Sequence, residues 1–190
     1  MSRSGSPTAQ IIGIFVAVYL LQAFGGLIGL SAAWFALAAP AVQPWTIVTS
    51  VYAHSGLNHL VVNALALLIV GLPLERFTSW LRFHGFFLVT GAIAGLVQIA
   101  VMDVLGSGTG VIGASGAILA LYGYVIAGNR FAGGVLSRLS LSRRTKLLLL
   151  AIVASTVVVL TAGPGVALVA HGTGFALGLI AGRFALLGRR

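Results

Sequence analysis

The chain has 190 residues, of which 59% are hydrophobic and only 7% are charged. Soluble globular domains carry about 25% charged residues, so this composition excludes a soluble enzyme or binding module and predicts an all-α membrane protein with several spans. The 11 basic and 2 acidic residues give a net charge of +9, and the absence of cysteine excludes disulfides and thiolate metal sites.

Six apolar runs follow one another along the chain, and polar or glycine- and proline-containing segments separate them. Runs that approach 18–20 apolar residues are long enough to cross a bilayer as helices. The predicted spans are residues 11–30, 57–74, 84–104, 113–129, 147–162 and 166–187. Gly163-Pro164-Gly165 separates the last two and predicts an antiparallel pair. Because the spans nearly fill the chain, we expect a single six-span bundle over residues 1–190 without a separate soluble domain.

The segment between the first two spans is apolar but contains Pro40 and Pro44. It is too apolar for a free loop, and the prolines interrupt a continuous helix. We therefore predict an interfacial segment over residues 34–52 that lies on the bilayer, with three aromatic side chains at the level of the headgroups: Trp34, Trp45 and Tyr52.

All basic residues fall at the N-terminus, in the second-to-third and fourth-to-fifth connections, and at the C-terminal end. The other three connections carry none. This distribution is the positive-inside pattern and predicts a multi-pass protein of the plasma membrane with both termini in the cytoplasm. The positive charge therefore requires no nucleic-acid partner.

Four polar side chains from three predicted spans fall at a similar depth below the outer surface. Ser115 lies in the first turn of the fourth span, and His171 lies roughly 7 Å into the sixth. His59 and Asn63 lie one turn apart on the same face of the second span. Ionisable groups are unfavourable inside a membrane, so this layer is the candidate functional site.

The chemistry of these residue types is that of a serine hydrolase. Ser115 needs a base that takes its proton, and the imidazole of His171 can serve as general base and then as general acid. The backbone N–H of Ser115, the Asn63 side-chain amide and an N–H of His59 can form an oxyanion hole. Gly113, which is small, allows backbone and substrate to approach closely.

Helix packing and the carboxylates define the rest of the predicted site. Gly116 and Ala120 on the fourth span, and Gly174 and Gly178 on the sixth, are small-residue steps that allow two helices to touch. Glu75 lies at the cytoplasmic end of the second span, too far from the histidine to complete a triad. We interpret Asp103 as a loop residue and predict a Ser115–His171 dyad.

These residues resemble the rhomboid family of intramembrane serine proteases, and the resemblance covers nearly the whole chain. The second-span signature of that family is similar to Pro44-Trp45, Thr49, His54, the run from His59 to Asn63, Gly71 and Glu75. Its GxSG nucleophile helix is similar to Gly113-Ala114-Ser115-Gly116 with Gly123-Tyr124. Its sixth helix is similar to Ala170-His171 with Gly174 and Gly178.

The resemblance implies a six-helix rhomboid core with Ser115 as nucleophile, His171 as base, and His59 and Asn63 in the oxyanion hole. It implies no cofactor or metal. We expect the substrates to be single-span membrane proteins in the lipid bilayer, unwound near the outer leaflet, so helix-breaking residues near the cut should promote cleavage. Water is expected to enter from outside, under a mobile loop or the segment 106–110.

Two positions depart from the family pattern, and other functions remain open. Thr46 stands where family members often carry arginine, and Leu119 stands where many bacterial members carry a tyrosine that stacks on the histidine. An inactive rhomboid-like protein that binds membrane clients is the main alternative. A small transporter is less favoured because no charged pair lies at the midplane. A metal site of His54, His59 and His171 lacks a carboxylate or cysteine at ligand spacing.

Overall fold

The computed structural model describes residues 5–39, 42–106, 110–128, 141–161 and 168–188. Within these ranges the protein is helical, and its only strand-like pairing is an isolated bridge between Leu37 and Val111. Two short 3-10 helices cover Ala32–Trp34 and Glu75–Phe77. The described α-helices are α1 (Pro7–Leu27), α2 (Thr46–Tyr52), α3 (Leu57–Leu74), α4 (Trp80–Val104), α5 (Ser115–Ala127), α6 (Arg143–Thr161) and α7 (Leu168–Arg183).

Three of the described helices are long and apolar enough to cross a membrane: α1, α4, and α3 with the 3-10 turn that follows it. The described part of the chain is thus all-helical apart from that bridge, and its long apolar helices are those of a membrane protein. The helix α5 is also apolar but has only 13 residues, so the count of six spans remains a prediction. The bounds of α3 are those predicted from the sequence.

The helix α1 begins four residues before its predicted span and ends three residues earlier. Ser6 caps its N-terminus by accepting a hydrogen bond from the Ala9 N–H, and Pro7 occupies the first position, where its missing N–H is no loss. At the other end the chain turns at Gly29, whose φ of +81° favours glycine. The Leu30 N–H then bonds back to the carbonyl of Gly25 at 2.8 Å.

The helix α4 begins four residues before its predicted span and ends at Val104 as predicted, and its last turn corrects the interpretation of Asp103 as a loop residue. That residue is exposed but lies in the last turn of α4 and not in a loop. The helix continues because nothing breaks it before Gly106, whose φ of +69° suits a helix C-terminus. The Gly106 N–H bonds the Asp103 carbonyl at 3.1 Å.

The helix α5 is the centre of the bundle. Its residues from Ser115 to Val125 are all buried, because α3, α4, α6 and α7 pack around it. A helix that is apolar on every face is stable when protein or lipid surrounds it, and here the neighbouring helices do so. The closest packing is with α7, against which α5 lies along most of its length.

The sequence predicts an antiparallel pair for the last two helices, but among the described residues α7 packs mainly against α5 and not against α6. The segment Gly163-Pro164-Gly165 lies outside the described residues. A cavity of about 380 Å³ lies between α5, α6 and α7, and it is lined on the α6 side by the small residues Ala151, Ala154 and Ser155. The contacts that hold α7 are therefore mainly with α5.

The segment between α1 and α3 folds over the end of the bundle where α5 begins. Trp34 and Trp45 stack with ring centroids 5.8 Å apart, and the Trp45 indole N–H donates to the Trp34 carbonyl at 3.1 Å. Further along, the backbones of Leu37 and Val111 exchange two hydrogen bonds of 2.8 Å. These bonds connect this segment to the residues that lead into α5. Pro40 lies outside the described residues.

Thr46, one of the two departures from the family pattern, is fully buried at the start of α2. Its hydroxyl donates to the carbonyl of Gln43 at 2.5 Å. The larger, charged side chain of an arginine would have to leave the interior. With threonine, this local hydrogen bond holds the turn before α2.

Candidate active site

Ser115 and His171 form a direct hydrogen bond in the interior of the bundle. Ser115 is the first residue of α5, and His171 is in the first turn of α7. The Ser115 Oγ and the His171 Nε2 are 2.6 Å apart, and the two residues are only 6% and 1% exposed. This is the distance that proton transfer from a serine to a base requires.

Glycines at the α5–α7 contact set the distance between these two helices. A Cβ atom added to Gly174 would lie 2.8 Å from the carbonyl carbon of Gly116, and one added to Gly178 would lie 2.8 Å from the carbonyl carbon of Ala120. No side chain fits at either position, so the two backbones touch. Gly116 also faces α4, where its added Cβ would meet Ala94 at 2.9 Å.

The partners of His59 determine which of its ring nitrogens carries the proton. The Ser55 backbone N–H donates to the His59 Nδ1 at 3.4 Å, and the Ser55 hydroxyl lies 3.0 Å from the same atom. Since Nδ1 accepts the backbone hydrogen bond, the neutral ring carries its proton on Nε2. This Nε2–H is buried and has no partner among the described residues, so it is available to an acceptor.

Asn63 is fully buried one turn below His59 on α3. Its Nδ2 donates to the carbonyl of His59 at 2.9 Å, as expected for residues four apart in a helix. The amide carries a second N–H, while its Oδ1 has no partner among the described residues. The geometry therefore leaves Asn63 with one further donor.

Gly113 lies in the loop before α5 and makes room for the His59 ring, not for a neighbouring helix. Its φ is +129°, a backbone conformation that L side chains rarely adopt, and its N–H bonds the Ser50 carbonyl at 2.9 Å. An added Cβ would lie 2.6 Å from the His59 Cε1. The glycine thus lets the ring approach the backbone that leads into Ser115.

A cavity of about 220 Å³ reaches Ser115, His59 and Gly113, whereas Asn63 and His171 do not line it. Ser115 and His59 both border it, together with Gly113 and the backbone before it, Ser50 on α2 and Ala94 on α4. Liquid water occupies about 30 Å³ per molecule, so a cavity of this size holds several waters or a short stretch of peptide.

Sequence reasoning missed Gln98, a fully buried residue of α4. Its Oε1 accepts a hydrogen bond of 2.9 Å from the backbone N–H of Ala170, the residue before His171. The signal was available, because a side-chain amide inside an apolar span is unfavourable unless it has a partner.

His54 lies in the short connection between α2 and α3, and it is packed into the bundle. Its backbone N–H donates to the Gln22 Oε1 at 3.0 Å, and its carbonyl accepts from the Gln22 Nε2 at 3.2 Å. The ring lies edge-on to Phe15 at 4.7 Å and to His59 at 5.2 Å. Burial, assisted by the nearby His59, lowers the pKa of His54 to about 3. These contacts hold the connection between α2 and α3 against α1.

Glu75 lies far along the chain from the dyad and is held at the N-terminus of α1. Its Oε2 accepts hydrogen bonds from the Ser6 hydroxyl at 2.8 Å and from the Thr8 N–H at 3.0 Å. A carboxylate at this position complements the helix dipole. Among the described residues, no group of three or more histidine, aspartate or glutamate side chains is close enough to hold a metal ion.

Comparison with known proteins finds relatives among the rhomboid-related proteins. The chain is 35% identical to Rhomboid-related protein 3 of Homo sapiens over 79 residues, which are 42% of this chain and 19% of that protein. It is 33% identical to Rhomboid-related protein 2 of Mus musculus over 81 residues, 43% of this chain and 26% of the relative. It is 28% identical to RHOMBOID-like protein 6, mitochondrial, of Arabidopsis thaliana over 85 residues, 45% and 26% of the two chains.

These alignments span only about a quarter of the relatives' length, or less. The family model of the Rhomboid domain matches a longer stretch than these alignments, residues 41–188, which is more than half of the chain. This match contains every residue of the candidate site. The chain therefore belongs to the rhomboid family.

Proposed function

We propose that this protein is an intramembrane serine endopeptidase, in which Ser115 is the nucleophile and His171 is the general base. The observation that carries the proposal is the buried hydrogen bond of 2.6 Å between the Ser115 Oγ and the His171 Nε2. Serine is a weak nucleophile at neutral pH, and a neutral imidazole at this distance is the group that activates it.

The reaction that fits this dyad proceeds in two balanced steps. In the first, the Ser115 Oγ attacks the scissile carbonyl carbon while the His171 Nε2 takes the hydroxyl proton. The C–N bond then breaks, and His171 donates that proton to the leaving amine, which leaves an acyl-serine ester. In the second, a water molecule gives a proton to His171 and attacks the ester, and the proton returns to Ser115 as the amino-terminal fragment departs with a new carboxyl group.

Three N–H groups support the proposed stabilisation of the oxyanion. Ser115 is the first residue of α5, so its backbone N–H has no acceptor within that helix. The Nε2–H of His59 is unpaired among the described residues and borders the same cavity. We propose the second N–H of the Asn63 amide as the third donor, although Asn63 does not line the cavity. Donors that are fixed before the reaction typically contribute the largest share of such catalysis.

The burial of the dyad supports a membrane protein as substrate. The side chains that line the cavity come from α2, α3, α4, α5 and α7, so the scissile peptide has to reach a serine that is only 6% exposed. A helical segment hides its carbonyl groups in its own hydrogen bonds, so a substrate span has to unwind before it is cut. We propose single-span membrane proteins with helix-breaking residues near the scissile bond.

The topology that accompanies this proposal follows from the basic residues. With all of them on one side, the N-terminal ends of α3, α5 and α7, which carry the site, face the outside of the plasma membrane. Cleavage is then expected near the outer leaflet, with both termini in the cytoplasm. The six-span arrangement over residues 1–190 is part of the same proposal.

Covalent labelling of the detergent-purified protein by a fluorophosphonate probe tests the proposal. The parent protein is expected to react, and Ser115→Ala and His171→Ala are expected to lose the reaction. The serine Ser155 on α6 and the histidine His84 on α4 provide matched controls, since Ser155→Ala and His84→Ala should label as the parent does.

Equal labelling of all these variants would place the reactive group elsewhere. A folded parent that does not react would contradict the proposal and would favour an inactive protein that binds membrane clients.

A further inference from the structure

The first turn of α7 contains backbone N–H groups that the helix itself cannot satisfy. As described, α7 begins at Leu168, so Ala170 is its third residue and His171 its fourth. The first four N–H groups of an α-helix have no acceptor within the helix. At membrane depth water is scarce, so each of these groups needs an acceptor from elsewhere in the protein.

Gln98 of α4 supplies the acceptor for Ala170. Its Oε1 lies 2.9 Å from the Ala170 nitrogen, and both residues are buried, Gln98 completely. The amide has only one favourable orientation, because turning it over would place its NH₂ group against the Ala170 N–H. The acceptor end of Gln98 is therefore directed at α7.

The same residue is confined on its other side by α5. A Cβ added to Gly116 would lie 3.5 Å from the Ala170 carbonyl oxygen and 2.9 Å from the Cβ of Ala94, which lies one turn before Gln98 on α4. The helices α4, α5 and α7 thus meet at the residue that precedes His171. The hydrogen bond that the Ala170 N–H donates to the Gln98 Oε1 joins α7 to α4 at this junction.

We propose that Gln98 is a positioning residue, which fixes the backbone of Ala170 and so holds the His171 imidazole at the Ser115 hydroxyl. The proposal rests on the function proposed above. Gln98 does not contact the reacting atoms itself. Its effect reaches them through one hydrogen bond to the neighbouring residue, and a displacement of about 1 Å in a reacting group can reduce a rate about 100-fold.

Three substitutions separate positioning from packing. Gln98→Met keeps the length of the side chain but removes the acceptor. Gln98→Asn keeps the amide but shortens the side chain by one methylene. It replaces Gln98→Met as the test if that variant fails to fold. Gln98→Glu keeps an acceptor oxygen in either protonation state.

Thr90 is the matched control on the same helix. It is also buried, but its hydroxyl bonds the Phe86 carbonyl of its own helix at 2.7 Å. Thr90→Val therefore removes a buried polar group without changing a bond to α7.

The rate constant of fluorophosphonate labelling at Ser115 is the first readout. Gln98→Met and Gln98→Asn are expected to lower it about 10- to 100-fold. Gln98→Glu should stay within about threefold of the parent, because it can still accept the bond, and Thr90→Val should match the parent. Parent-like labelling of Gln98→Met, or an equal loss in Thr90→Val, would overturn the proposal.

Hydrogen exchange at the Ala170 amide tests the bond without any activity. The amide is expected to exchange slowly in the parent and in Gln98→Glu, and faster in Gln98→Met and Gln98→Asn. Unchanged exchange would overturn the proposal. Faster exchange in Gln98→Met than in the parent, together with a parent that the probe does not label, would support the Gln98 bond while contradicting the proposed function, so the two failures are distinguishable.

Discussion

Replacing Gly174 by alanine should separate the two halves of the proposed dyad. The added Cβ would lie 2.8 Å from the carbonyl carbon of Gly116 and closer still to its oxygen. Nonbonded atoms prefer a separation of about 3.5 Å or more, so α5 and α7 would have to move apart by about 1 Å. Gly116 is the neighbour of Ser115, and Gly174 lies one turn from His171, so the movement occurs at the hydrogen bond itself.

The expected result of Gly174→Ala is a loss of about 100-fold in the rate of fluorophosphonate labelling. The free energy of unfolding should also fall by about 1–3 kcal/mol, the usual cost of overpacking. Gly172 provides the control on the same helix, because it is exposed and a Cβ there meets nothing within 4 Å. Labelling and thermal unfolding in detergent measure both effects. If Gly174→Ala and Gly172→Ala label equally fast, the helix contact does not set the dyad distance.

Three further predictions concern groups around the site. Gly113→Ala should reduce labelling more than it reduces stability, because its Cβ would meet the His59 ring 2.6 Å away and its φ of +129° is strained for alanine. The pKa of His54 is about 3 in the folded protein, below its ordinary 6.5, so the unfolded chain binds a proton that the folded chain excludes. The melting temperature should therefore fall as the pH decreases from about 6.5 towards 3, and less so in His54→Phe. Glu75→Gln should lower the stability by about 0.5–2 kcal/mol, through the weakened cap on α1, and leave labelling unchanged.

Each of these predictions has an outcome that contradicts it. Parent-like labelling of Gly113→Ala would mean that the position of the His59 ring beside residue 113 does not affect the reactivity of Ser115. An identical pH dependence of melting in the parent and in His54→Phe would show that the buried ring is not the group that titrates. Loss of labelling in Glu75→Gln would connect the α1 cap to the site, against the separation observed here.

The sequence predicted the family and the helical class because both depend on local patterns. Runs of apolar residues define helices whatever their neighbours are, and the bounds predicted for α3 agree with the structure. Motifs of a few residues around Ser115 and His171 were enough to identify the family, which the domain match confirms. The prediction that the four polar residues lie at a similar depth used only the rise of an α-helix and the distribution of the basic residues.

What the sequence left out depends on contacts between distant segments. Hydropathy could not decide that Asp103 lies in the last turn of α4 and not in a loop, because a charged residue at the end of an apolar run suits a helix end and a loop equally. The hydrogen bond from the Ala170 N–H to the Gln98 Oε1 joins residues 72 positions apart. The room that Gly113 makes for His59 depends on how α3 sits against the loop before α5, and no periodicity encodes that.

The measurement that tests the central claim most directly is cleavage of a single-span reporter protein reconstituted with this chain in liposomes. We expect the parent to cut the reporter within its span near one membrane surface, with product masses that correspond to hydrolysis of one peptide bond. We expect Ser115→Ala and His171→Ala to produce no cut. Equal cleavage by Ser115→Ala would contradict the account, and so would an intact reporter beside a parent protein whose Ser115 reacts with the fluorophosphonate probe.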